Sequence, residues 1–223
     1  GSSAARYLQY VIKDDSIVGV SMGSTLHHMV SALQKAPAER VTYVPLVGGM
    51  GRLRMELHAN SLAEKMSRLG DGTFIPLHAP ARVSSTLVRD ELMKEESVQD
   101  AVKLMNRIDV ALVGIGYPNE HSAIKATGYY KENEIESLVS RKAAGELCMQ
   151  FYDIEGYTEP YASDNAVIGM DIHRLCKVPC SVGIAGGKEK LSAIQGAING
   201  KYINVLITDT ECARALLSDE EEE

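Results

Sequence analysis

Apolar residues along this chain follow two alternating patterns. Short, nearly continuous apolar runs stand at 16–20, 41–47, 73–79, 109–116, 178–185 and 203–208. Apolar character without alternation is what a parallel strand covered on both faces shows, and 109–116 is the clearest case. Between the runs, apolar residues return at helical spacing. This predicts helices over 4–12, 25–34, 55–69, 84–107, 188–199 and 209–217. Strand and helix alternate about six times, and the strands give way to Gly, Ser, Thr or Asp. The rhythm predicts an α/β fold, Rossmann-like, with a mostly parallel sheet flanked by helices. Ligands in such sheets bind beyond the C-terminal ends of the strands.

The interval 117–169 breaks the rhythm. Tyr117-Pro118-Asn119 opens a long loop, 133–142 reads as a short helix, 147–152 as an apolar segment and 152–157 as a hairpin turn. The interval is too short to bury a core of its own, so it is expected to be an inserted flap over the strand ends. One unit over 1–218 and an acidic tail over 219–223 complete the expected organisation.

At 223 residues and 45% hydrophobic, the chain suffices for one sizeable core. No stretch of about 18 apolar residues occurs, which excludes a helical membrane span. No signal peptide is visible, and the four cysteines suit buried reduced thiols of a cytoplasmic protein. Gly1-Ser2-Ser3 without an initiating Met reads as an expression scar. The net charge of −7, with Lys and Arg scattered, argues against nucleic-acid binding by these residues.

Three strand ends carry glycine turns. The first is Gly19-Val20-Ser21-Met22-Gly23-Ser24-Thr25, the second Val47-Gly48-Gly49-Met50-Gly51, and the third Ala185-Gly186-Gly187-Lys188-Glu189-Lys190. A strand, a tight turn with hydroxyls and a helix start point backbone N–H groups at one small volume, which suits an anion, phosphate above all. The first turn lacks the P-loop Lys and the GxGxxG spacing. One of Ser24 and Thr25 accounts for a helix cap, and a cap requires only one hydroxyl. Lys190, expected inside the first turn of a helix, is unfavourable against the helix dipole unless it serves an anion or simply faces solvent. Lys125, in the flap, is a similar candidate. Glu146 stands in Ala143-Ala144-Gly145-Glu146-Leu147-Cys148, where an acid pairs with a Lys, accepts hydrogen bonds from ligand hydroxyls, or lies on a surface helix. His173, Cys176 and Cys180 do not match a common zinc spacing, no GxSxG elbow occurs, and no metal or cofactor is expected.

The Gly19–Thr25 turn closely resembles the G-V-S-x-G-T-T turn in the sugar-binding domain of SorC/DeoR-type bacterial transcriptional regulators, which include the central glycolytic gene regulator. Further blocks agree in order: Val44-Pro45-Leu46-Val47-Gly48-Gly49, Asn60-Ser61-Leu62-Ala63 with Leu77-His78-Ala79-Pro80, and Val113-Gly114-Ile115-Gly116. Then come Gly145-Glu146 with Phe151-Tyr152-Asp153-Ile154-Glu155-Gly156, and Ala185-Gly186-Gly187 through Lys190 to Leu206-Ile207-Thr208-Asp209. The resemblance implies an effector-binding and oligomerisation domain, similar in fold to phosphosugar isomerases and CoA transferases. In such regulators it follows an N-terminal helix-turn-helix domain that these residues do not include.

It also implies a phosphorylated sugar as effector, a homo-oligomer (dimer or tetramer), and operator DNA contacted only through the other domain. Gly23, Ser24 and Thr25 would then hold the phosphate and Lys190 phosphate or sugar oxygens. Glu146 would take hydroxyls and Lys125 a second group, with Gly48, Gly49 and Gly186 lining the site. Glycolytic members carry an Arg immediately before the paired glycines, where this chain has Val47. The departure implies a monophosphate or a less charged sugar, unless Arg52 compensates. The alternative from another class is a phosphosugar isomerase or deaminase on the same fold, with Glu146 as its base. A third is a pure assembly domain.

Overall fold

The computed structural model of the chain describes residues 1–51, 54–119, 125 and 127–218. Six strands form a parallel sheet: β1 Ile17–Val20, β2 Thr42–Pro45, β3 Thr73–Phe74, β4 Val110–Gly114, β7 Cys180–Ile184 and β8 Val205–Ile207. Their order is β3-β2-β1-β4-β7-β8. The chain winds outward from β1 to β3, then returns to β4 beside β1 and winds outward the other way. The reversal between β1 and β4 leaves a crevice beyond their C-terminal ends, where ligands of doubly wound sheets bind. The register pairs Gly19 with Val44 on one side and Ala111 on the other.

Successive strand residues serve opposite faces. Val18, Val20, Val110 and Leu112 pack with α1 Ser2–Val11, α2 Ser24–Ala32 and α3 Ala59–Ser67, through Leu8, Leu26, Met29, Leu62 and Met66. Ala111 and Val113 turn the other way, onto a larger cluster with α5 Glu96–Met105, α6 Glu132–Ser140, α7 Ile172–Leu175 and α8 Leu191–Asn199. Apolar cover on both faces is why these strands show no polar alternation. No helix among the described residues is long and apolar enough to cross a membrane.

Several elements differ from expectation. The run 73–79 is a strand only at Thr73–Phe74; the chain beyond it continues without ladder pairing to the isolated bridge between Gly49 and Pro80. The helix expected over 55–69 is a short 3₁₀ turn, Met55–Leu57, followed by α3. The helix expected over 84–107 divides into α4 Thr86–Leu92 and α5, because Glu95 is extended (ψ 136) and starts a new helix.

The hairpin is also displaced. It joins β5 Gly145–Leu147 to β6 Gln150–Tyr152, and its turn is Cys148-Met149, both in left-handed conformation (φ 51 and 64). Neither residue carries the Asn-Gly signal of a two-residue turn, which is why the segment reads as a single apolar stretch. Residues 152–157 do form a turn, with Gly156 N–H donating to the Asp153 carbonyl, but it leads to the 3₁₀ segment Glu159–Asp164 rather than to a paired strand. The inserted interval shares the larger core through Tyr130, Ile135, Leu138 and Phe151. Isolated bridges join it to the segments that follow β4, β3 and β2, at Gly116–Glu146, Arg82–Val167 and Val47–Gly169. The acidic tail and Arg52 lie outside the described residues.

Candidate functional site

The first glycine turn lies at the β1 side of the crevice. Gly23 has φ 111 and ψ 170, a backbone region closed to other residues, and it caps α2. Neither Ser24 nor Thr25 caps the helix through its side chain. Among the described residues, no protein acceptor takes the amides of Ser24, Thr25 or Leu26. Ser24 is exposed and Thr25 half-buried. A helix start with unused amides and two hydroxyls is an arrangement that takes an anion.

The second turn is built differently. Gly48 N–H donates to the Ile168 carbonyl (3.0 Å) and Gly49 N–H to that of Ala79 (2.8 Å). The Gly49 carbonyl accepts from Tyr129 Oη–H at 2.8 Å. A Cβ on Gly48 would lie 2.5 Å from the Ala79 oxygen. The two glycines permit close backbone approach, and their amides are engaged within the protein. Val47 is fully buried.

At the third turn the Gly187 amide donates to Asp209 Oδ2 (2.8 Å). Asp209 Oδ1 accepts from Cys212 N–H (2.9 Å) at the start of α9 Thr210–Ser218. These backbone donors hold the Asp209 carboxyl below the usual carboxylate range. Thr25, His28, Gly186, Thr208 and Asp209, with the start of α1, line a cleft of about 480 Å³. Nothing local in the sequence marks Asp209, Thr208 or His28 as lining a cleft. An acid between a strand and a helix reads as an ordinary cap, and only topology brings it opposite Thr25.

Lys190 ends the short 3₁₀ turn Lys188–Lys190 and caps α8, so it sits at the helix start rather than inside its first turn. Its Nζ reaches across to the Ile115 carbonyl at the end of β4 (2.9 Å). The next residue, Gly116, exchanges both backbone hydrogen bonds with Glu146, at 3.1 and 2.9 Å. Glu146 is therefore on strand β5, not on a surface helix, and is 4% exposed. Its Oε2 accepts from Met149 N–H (2.8 Å). Burial raises its carboxyl to about 7, against the opposing pull of the Met149 amide and Lys190. The hairpin tip reaches the first turn, where Cys148 Sγ lies 3.4 Å from Ser21 Oγ. Lys190 and Glu146 are thus held at successive residues beyond β4, Ile115 and Gly116, and the hairpin ties Glu146 to the first turn.

Lys125 pairs with Glu132 (3.2 Å) in the flap. Its neighbours 120–124 and 126 lie outside the described residues. Among the described residues, no group of His, Cys, Asp and Glu forms a metal site.

The family model described as "Putative sugar-binding domain" matches residues 1–218. The sorbitol operon regulator of Klebsiella pneumoniae is 31% identical over 219 residues, covering 97% of this chain and 70% of the relative. The deoxyribonucleoside regulator of Bacillus subtilis is 30% identical over 220 residues, covering 96% and 68%. Among solved structures, a sor operon regulator from Shigella flexneri superposes with a TM-score of 0.87 at 31% identity, over 97% of this chain and 86% of that one.

Proposed function

This chain belongs to the sugar-binding domain family of SorC/DeoR-type transcriptional regulators of carbohydrate metabolism, and we propose that its effector is a phosphorylated sugar seated where the sheet reverses. The observation that carries the reading is the start of α2. Three amides without a protein acceptor stand there beside the side chains of Ser24 and Thr25, while Lys190 Nζ stands at the end of β4. A phosphate at that helix start gains backbone donors and a favourable dipole, and Glu146 accepts from sugar hydroxyls. Gly48 and Gly49 contribute shape and Gly186 a wall of the cleft, and Lys125 would be a second cation for the ligand.

The domain acts in the cytoplasm as part of a homo-oligomeric regulator and is not itself an enzyme. With a net charge of −7, it leaves operator contact to the rest of the regulator. The effector holds the hairpin against the first turn, and this biases the arrangement of subunits and hence DNA affinity.

A melting-temperature screen against sugar phosphates tests the seat. At least one is expected to raise the midpoint of the wild-type domain, with the rise lost in Ser24→Ala/Thr25→Ala and in Lys190→Ala. A rise unchanged in all variants would remove the assignment. One feature favours a second reading, phosphosugar isomerisation: burial pushes the Glu146 carboxyl up to about 7, where a general base is useful. Direct assay of aldose–ketose conversion separates the two, and no turnover is expected.

A further inference from the structure

We propose that Asp209 selects the far end of the effector: its carboxylate receives hydroxyls of a singly phosphorylated sugar and turns away a second phosphate. This rests on the phosphosugar reading above and adds a specificity-determining residue to that site.

The cleft of about 480 Å³ supplies the geometry, and its volume suits a small molecule. Thr25 and His28 of α2 form one wall. Gly186, Thr208 and Asp209, where β7 and β8 end, form another. A sugar whose phosphate sits at the start of α2 has this cleft to extend into.

Asp209 is the acid of the second wall. Its Oδ2 accepts from Gly187 N–H (2.8 Å) and its Oδ1 from Cys212 N–H (2.9 Å). A carboxylate oxygen has two lone pairs, so each keeps an acceptor site for a ligand hydroxyl. The same amides fix the carboxylate in place and favour its charged form. Gly186 lets it lie close to the backbone, since a Cβ there would stand 2.8 Å from Oδ2. Among the described residues Asp209 forms no ion pair, and Lys188 of the third turn pairs instead with Glu211 at 3.6 Å.

The other polar groups of the cleft also suit hydroxyls. His28 Nδ1 lies 2.7 Å from the Ser24 carbonyl, which can only accept. Nδ1 therefore carries the hydrogen, and Nε2 of the neutral ring is an acceptor. Thr208 Oγ1 is buried and meets no hydrogen-bond partner among the described residues, so this wall is not closed on itself. A hydroxyl donates to such a surface. A second phosphate brings acceptors against acceptors and like charge against a carboxylate without a cation. Selection thus has a repulsive element as well as an attractive one.

Calorimetric titration of the domain with matched pairs tests this: fructose 6-phosphate and fructose 1,6-bisphosphate, glucose 6-phosphate and glucose 1,6-bisphosphate, ribose 5-phosphate and ribose 1,5-bisphosphate. In the wild type, the monophosphate of a pair that binds is expected to be preferred about tenfold or more at low salt. Asp209→Asn keeps the size of the side chain and removes its charge. It is expected to bind the monophosphate severalfold more weakly and to narrow the preference below about threefold. An unchanged preference in the variant, or a wild type that binds both members of a pair equally, overturns the proposal. Should Asp209→Asn fail to fold, the salt dependence of the wild type decides. A preference made by charge repulsion shrinks severalfold between about 20 mM and about 500 mM salt, and one that stays constant overturns the proposal. Monophosphate binding that depends on Ser24 and Thr25 but not on Asp209 refutes this inference alone, whereas no binding of any probe removes it together with the phosphosugar reading.

Discussion

Gly23 sets the phosphate seat by conformation rather than by lack of room. Nothing lies within 4 Å of where its Cβ would stand, yet its φ of 111 is strained for any other residue. Gly23→Ala is therefore expected to cost about 1–3 kcal/mol of stability and to weaken ligand binding, as read by urea unfolding and calorimetry. Glu146 makes stability depend on pH. Its folded-state carboxyl is raised from 4.5 to about 7, so its stabilising contribution is complete below about 4.5 and lost as pH rises through 7. The full loss is on the order of 3 kcal/mol, since each pH unit between the two values is worth about 1.4 kcal/mol. Urea midpoints of wild type and Glu146→Gln are expected to diverge between pH 5 and 8, with the variant gaining relative stability toward pH 8. Parallel curves would show that this acid is not the buried titrating group. Glu146 and Lys190 stand out as candidates in the sequence because an acid among small residues and a Lys at a helix start are both locally out of place. The burial of Glu146 was not legible, since it comes from Gly116, which lies 30 residues away in the chain.

At the scale of elements, the inserted interval is clasped rather than loosely laid over the sheet. Arg82 donates to the Tyr129 carbonyl (2.8 Å), pairs with Glu134 Oε1 (3.1 Å) and stacks over the Tyr130 ring (4.3 Å). Its side chain is 18% exposed, so these contacts are partly shielded from water. Arg82→Met is expected to speed amide hydrogen exchange across 127–140 severalfold, with the sheet unaffected, because the guanidinium joins the two segments. Uniform exchange in wild type and variant would deny the clasp. The central strands could be read from their apolar runs, whereas the hairpin turn could not. Cys148 and Met149 adopt left-handed backbone because a two-residue loop between paired strands requires it, and neither residue type announces that conformation. The break between α4 and α5 was likewise hidden, since nothing in Lys94-Glu95-Glu96 disfavours a helix.

For the molecule as a whole, the alternation of strands and helices announced the parallel sheet, but not the order that brings β4 beside β1. That order puts the first turn, Ile115 and Lys190 around one crevice. The ordered glycine blocks made the family legible, and the family model and regulator relatives agree with it. If the domain transmits effector binding through its assembly, light scattering is expected to show a change in oligomeric mass or in dissociation on ligand addition. The central claim is most directly tested by calorimetric titration with a matched pair, a sugar phosphate that stabilises the domain and the same sugar unphosphorylated. The phosphorylated form is expected to bind at least tenfold more tightly, and that advantage is expected to vanish in Ser24→Ala/Thr25→Ala and Lys190→Ala. Equal affinity for the two forms, or an advantage that survives in those variants, would contradict a phosphate seat at the start of α2.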